Sequence, residues 1–224
     1  MKICIDAGHG GKDSGTKGKK RTLEKDINLE YAIALKKELT RNKKIKVYLT
    51  RDRDIYYTLT NRLKIARTYK PDLFISIHSD SSPNRNTRGL SIYTLSKKAS
   101  DTRTAELAVS ENKTNIIAGL DLYNEYQDTI NTLVDLSRKE ILVESVKFAD
   151  LTLRYLDRNK INLLSKTHKQ ANFAVLLAPD FPSVLIELGF LSNIKDEKML
   201  KSNYYKKAVS KVISDSIKAY FNIK

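Results

Sequence analysis

The chain has 224 residues, with 41 Lys and Arg against 26 Asp and Glu and a formal net charge of +15. That length suits one domain burying roughly 70% of its unfolded surface, and the charge attracts polyanions: nucleic acid, an anionic membrane or an acidic wall polymer. A single cysteine rules out an internal disulfide, and the lack of Trp, with tyrosines scattered outside any basic run, argues against a base-stacking nucleic-acid platform.

Residues 2–6 read as a short buried strand, in which Cys4 is a small hydrophobe. Residues 8–22 form a loop rich in Gly, Lys and Thr. A helix begins near Glu24, with Thr22 as its cap and Leu29, Ile33, Leu35 and Leu39 at helical spacing. Residues 45–49 read as a strand. Leu59, Leu63, Ile65 and Ala66 mark a helix that must end before Pro71. Residues 73–77 form an apolar strand ending at His78, and 89–95 another strand. From 102 to 158 there is no proline, one glycine (Gly119) and helical periodicity. Residues 173–177 and 183–186 return to strands, and 206–221 close the chain as an amphipathic helix. Strands alternating with helices predict a single α/β domain, a twisted, mostly parallel mixed sheet flanked by helices. No apolar run approaches the ~20 residues of a membrane span. No signal-like apolar core leads the chain, which fits either a cytoplasmic protein or a trimmed piece of an exported precursor.

The opening loop fails as a phosphate cradle. Gly11-Lys12 is followed by Asp13 rather than Ser or Thr, and a dinucleotide fingerprint started at Gly8 also meets Asp13 where glycine belongs. Its glycines still allow close backbone approach, with His9 projecting there. His78 follows one apolar strand, Glu187 ends another, and Glu24 opens the first helix. Ligands in open α/β sheets sit outside the carboxyl ends of the strands. Two imidazoles and carboxylates at one such rim suit a mononuclear zinc site with a position left for water. Each residue alone has a plainer reading. Glu24 is also a helix-start carboxylate favoured by the macrodipole, and Glu187 a buried ion-pair partner. Asp6 and Asp80 either orient the histidines from behind or close turns. His168, Arg51 and Arg53 read as loop residues, the arginines stabilising their loop by local pairing.

Five segments, "DAGHGGKDSG", "LEKDINL", "YLTRDRD", "FISIHSD" and "VLIELGFLSN", stand in this order and cover nearly the whole chain. In them the chain resembles the zinc-dependent N-acetylmuramoyl-L-alanine amidases, specifically the cell-separation amidases of Gram-negative bacteria. The resemblance implies one zinc per chain held by His9, Glu24 and His78, with Glu187 as the catalytic carboxylate. It implies a peptidoglycan substrate, no nucleic acid, a periplasmic location, and cleavage between N-acetylmuramic acid and L-alanine of the stem peptide. It also implies that a helical insertion over about residues 103–142 covers the zinc until an activator protein removes it. Asp121, Glu125 and Asp128 share one helical face there. Glu125 is the acid expected on the zinc, Asp128 the next choice, and Asp121 a cap for the helix past Gly119. Ile130, Leu133 and Val134 are the apolar face expected to meet the activator. The alternative class is a non-catalytic basic module that binds wall polymer or nucleic acid; the intact set of four site residues argues against it.

Overall fold

The computed structural model describes residues 1–116, 132–178 and 180–223, with the backbone alone for 114–116 and 132–138. Its strands are β1 (Lys2–Ala7), β2 (Lys46–Leu49), β3 (Leu73–His78), β4 (Ser91–Leu95), β5 (Lys169–Ala171) and β6 (Ser183–Glu187). Its helices are α1 (Glu24–Leu39), α2 (Leu59–Tyr69), α3 (Thr102–Ile116), α4 (Thr132–Arg158), α5 (Ile194–Leu200) and α6 (Asn203–Tyr220). The strands make one sheet in the order β2-β1-β3-β6-β4-β5, parallel except where β4 meets β6. The predicted single α/β domain with a mostly parallel mixed sheet is the fold found.

Side chains alternate across each strand, and both faces are covered, as parallel sheets require. Ile3, Ile5, Ile75, Ile77, Val184 and Ile186 pack against α1, α4 and α6. Cys4, Phe74, Tyr93 and Leu185 face the other way, against α2, α3 and the segment 173–178. The period places Asp6, His78 and Glu187 on this second face, at the carboxyl ends of β1, β3 and β6.

Two local expectations are corrected. Residues 173–177 are not a strand: Ala174–Leu176 is a 3₁₀ turn, buried beneath α3. The strand of this region is β5, just before it. A short apolar run is buried in either conformation, and periodicity alone cannot distinguish them. Nor does Thr22 cap α1. The cap residue is Leu23, which offers no side-chain acceptor, and the Glu24 and Lys25 amides donate to Thr16 O (3.0 Å) and Ser14 O (3.2 Å). The glycine-rich loop itself thus satisfies the helix start and ties Glu24 to the loop that carries His9. Among the described residues, no helix is long and apolar enough to cross a membrane.

Candidate metal centre

Four buried side chains converge at the sheet rim: His9, Glu24, His78 and Glu111, whose ligand atoms lie within 4.8 Å of one another. The loop after β1 delivers His9, the first turn of α1 Glu24, the end of β3 His78, and α3 Glu111. The glycines of the loop make room for them. A Cβ at Gly8 would stand 2.3 Å from His78 Cε1, and one at Gly15, where φ is +61°, 2.6 Å from Glu24 Oε2. His9 itself has a φ of 60°, a rare conformation for a side-chain-bearing residue, and two buried guanidiniums hold it. Arg51 donates to Ala7 O (2.8 Å) and Gly8 O (2.9 Å); Arg62 donates to Ala7 O (2.7 Å) and His9 O (2.6 Å). Arg51 therefore braces the histidine loop as well as its own, where it donates to Arg53 O at 3.2 Å.

The donor set fits a metal ion. His9 Nε2 lies 3.2 Å from Glu24 Oε1 and 3.4 Å from Glu111 Oε2; His78 Nδ1 lies 3.3 and 2.9 Å from the same two oxygens. Tetrahedral zinc with bonds of about 2.0–2.1 Å spaces its donors by roughly 3.3 Å. Neither ring nitrogen makes a well-formed hydrogen bond despite these short distances; the atoms aim at a shared point more than at each other. His9 Nδ1 donates to Asp13 Oδ2 at 2.8 Å, which leaves the Nε2 lone pair for a metal. Glu24 is fixed through both oxygens, accepting from Thr16 N at 2.8 Å on Oε2 and from Ser79 N at 3.0 Å on Oε1.

Burial opposes charge on both histidines, but adjacent carboxylates outweigh it. Glu24 and Glu111 raise His9 well above the ordinary histidine value, and Glu111 and Glu24 raise His78 to about 9. Without metal, the two imidazoliums neutralise two buried carboxylates near pH 7. A metal ion bound there would have to displace those protons, so the apparent affinity for zinc should climb with pH by up to about two log units per pH unit. Raised folded-state pKa values give stability that is complete below the unfolded value near 6.5 and lost as pH rises toward about 9. Chelated protein should therefore melt at falling temperature across that window, and zinc should restore most at its upper end. A titration of melting temperature with and without zinc checks both signs; a chelated protein that becomes more stable from pH 6.5 to 9 would contradict them.

Glu187 stands beside the cluster as the register partner of His78. It is wholly buried, and neither carboxyl oxygen has a hydrogen-bond partner among the described residues. Burial, then the Asp80, Glu111 and Glu24 carboxylates, push its carboxyl well above the ordinary range. Asp6 accepts from Thr50 (2.5 Å), Arg62 (2.8 Å) and Ser76 (2.8 Å); Asp80 binds the Ser81 amide and Arg103 (3.1 Å). Neither carboxylate is bonded to a histidine of the cluster; Asp13, which is bonded to His9, was not singled out in the sequence. His168 pairs with Asp150 at 2.7 Å, away from the cluster.

Glu111 was also not singled out. Its signal is helical: Thr104, Leu107, Ala108 and Glu111 form one buried stripe on α3, two turns of core spacing ending in an acid. Asp101 caps this helix through Thr104 N (2.8 Å). Next to Glu111, Asn112 donates to Asn172 O and accepts from Ala174 N, both at 2.8 Å. Asp121, Glu125, Asp128 and Ile130 lie outside the described residues, as do the side chains of Leu133 and Val134.

The glycine packing gives a direct expectation. Gly8→Ala forces a methyl group into the His78 ring and should weaken zinc at least tenfold, the scale of other changes just behind metal ligands. Competition with a chromophoric chelator measures it; unchanged affinity would mean that the ring is free to move.

The family model described as N-acetylmuramoyl-L-alanine amidase matches residues 3–219. The amidase AmiC of Escherichia coli O6:H1 (strain CFT073) is 39% identical over 98% of this chain and 52% of its own length. A putative N-acetylmuramoyl-L-alanine amidase of Buchnera aphidicola subsp. Baizongia pistaciae is 35% identical over 99% of this chain and 96% of its own. The chain thus spans about half the length of AmiC and nearly all of the Buchnera relative. The solved catalytic domain of CwlV, an N-acetylmuramoyl-L-alanine amidase from Bacillus (Paenibacillus) polymyxa var. colistinus, superposes with a TM-score of 0.73 at 28% identity, covering 100% of this chain and 99% of that one.

Proposed function

This chain belongs to the N-acetylmuramoyl-L-alanine amidase family, and from that premise we propose that it hydrolyses the amide joining N-acetylmuramic acid to the stem-peptide L-alanine of peptidoglycan. The observation that carries the reading is Glu187, a wholly buried, unpartnered carboxyl beside a two-histidine, two-glutamate cluster. Burying such a group without a partner costs stability, so its position is best understood through chemistry. His9, Glu24 and His78 would hold zinc. When bound there, the ion supplies a Lewis acid for the scissile carbonyl and brings the pKa of water toward ~7. Glu187 accepts the proton of the attacking water and returns it to the departing alanine amine. Asp13, Asn28 and Ser79 orient the ligands: Asn28 donates to Glu24 Oε1 at 3.2 Å and accepts from Ser79 Oγ at 3.0 Å.

Glu111 completes a set of four protein donors, and a catalytic zinc needs one position free. We read α3 as the base of the inhibitory segment and Glu111 as its acid on the metal, in the role expected of Glu125. Asn112 pins this arrangement to the 172–174 turn. Removing that clamp should open the site in part, so Asn112→Ala should raise unstimulated murein hydrolysis severalfold, read by dye release at equal zinc content; no rise would mean that Asn112 does not hold α3 closed. An activator protein would act by drawing α3 away from the rim. Daughter-cell separation in the periplasm is the setting this regulation suits. The zinc assignment is tested by elemental analysis. About one zinc per chain is expected in the wild type and little in His78→Ala; full zinc in His78→Ala would refute the ligand set.

A further inference from the structure

A second cleft opens at the same rim, away from the four ligands. It holds about 290 Å³ and is lined by Lys19, Arg85, Arg88 and Lys195, with Ser192 and Asn193 between them. Its three walls all come from site elements. The loop with Lys19 runs into Glu24, the loop with Arg85 and Arg88 follows His78, and the first turn of α5, with Lys195, follows Glu187.

The walls are built, not loose. Asn193 Nδ2 donates to Arg85 O at 2.8 Å, and Ser192 Oγ accepts from Ser82 N at 2.9 Å. Buried Glu197 accepts the Lys20 amide at 2.9 Å, and a Cβ at Gly18 would lie 2.3 Å from its Oε1. Buried Asp196 accepts the Gly89 amide at 2.7 Å and takes Arg88 Nε at 3.2 Å. Arg88 is thereby oriented, and its charge is offset. Lys19, Arg85 and Lys195 are exposed and have no ionic partner among the described residues. The four cations outnumber the two buried carboxylates, so the cleft keeps a positive field.

A stem peptide advances about 3.4 Å per residue from the cleaved bond, so its distal carboxylates reach past the four ligands to other parts of the rim. The N-acetylated glycan is uncharged, so the anions of the substrate are the carboxylates of that peptide. We propose that the Lys19–Arg85–Arg88–Lys195 cleft is a subsite for stem-peptide carboxylates beyond the L-alanine, a reading that rests on the amidase activity proposed above. The cations add affinity and encounter rate for acidic stems and discriminate against stems whose carboxylates are amidated.

The test uses zinc-loaded full chain and two soluble tripeptides, L-alanyl-D-glutamyl-diaminopimelate and the same peptide with its side carboxylates amidated. Wild type should bind the acidic peptide about tenfold more tightly than the amidated one, the scale of two exposed ion pairs. Arg85→Glu/Lys195→Glu should lose that preference, and the preference should shrink at high salt. If the reversal fails to fold, Arg85→Gln/Lys195→Gln replaces it with the same expectation. Equal binding of both peptides by wild type, or an unchanged preference in the variants, overturns the subsite; a loss confined to binding of single-stranded DNA assigns the cations to nucleic acid and overturns it too. Dye release from labelled murein is measured alongside on Glu111→Ala. No release there, nor from a variant that also lacks residues 120–135, with peptide preference intact, removes the amidase reading and leaves the binding result standing.

Discussion

Replacing Glu187 by Gln is expected to leave zinc content unchanged and to cut murein hydrolysis by about 10²–10⁴-fold, the range a positioned general base contributes. The substitution preserves volume and the β6 strand but removes the proton acceptor. It also removes a buried carboxyl held well above its usual pKa by burial and by Asp80, Glu111 and Glu24, so the folded protein should be no less stable. A general base is competent only once ionised. Activity should therefore rise with pH through an acid limb of kcat/KM, and the residual rate of Glu187→Gln should lack that limb. Loss of zinc in the variant would make Glu187 a ligand, and retained hydrolysis would take it out of the mechanism.

Glu111→Ala should move activity the other way. The closed cluster has four protein donors, with Glu111 Oε2 2.9 Å from His78 Nδ1 and 3.4 Å from His9 Nε2. If closure is favoured by about 2.7 kcal/mol, about 1% of molecules are open, and freeing the site allows a rise of up to about 100-fold. The helix itself should persist, because Leu107 and Ala108 keep it in the core. Glu111→Gln, which keeps shape but not charge, should fall between. Dye release without activator, at matched zinc, reads the effect; a rate no higher than wild type in either variant would mean that this carboxylate does not close the site, and would return attention to the segment carrying Glu125.

Residues whose local pattern and chemical role coincide could be read from the sequence. His78 and Glu187 end apolar runs, and a strand that stops at a polar side chain puts it at the sheet rim. His9 sits in a loop whose glycines have no other evident use, and Gly8 and Gly15 prove to be the space occupied by His78 and Glu24. Glu111 was hidden because the core stripe of α3 explains its neighbours without it; only the packed helix brings that last acid onto two histidines. Asp13 and Arg62 act through contacts fixed by the left-handed turn at His9, which no periodicity reports. The 3₁₀ turn at Ala174–Leu176 was hidden for the opposite reason, since an apolar run under α3 looks the same whether extended or turned.

The central claim, that this site cuts the muramoyl–alanine amide, is tested most directly by the products of Glu111→Ala acting on purified murein. Mass spectrometry should find stem peptides with a free L-alanine amine and glycan strands with intact disaccharides bearing free lactyl carboxyls, all absent from the Glu111→Ala/Glu187→Gln double variant. Fragments cut within the glycan or within the stem peptide, or the same products from the double variant, would contradict the account.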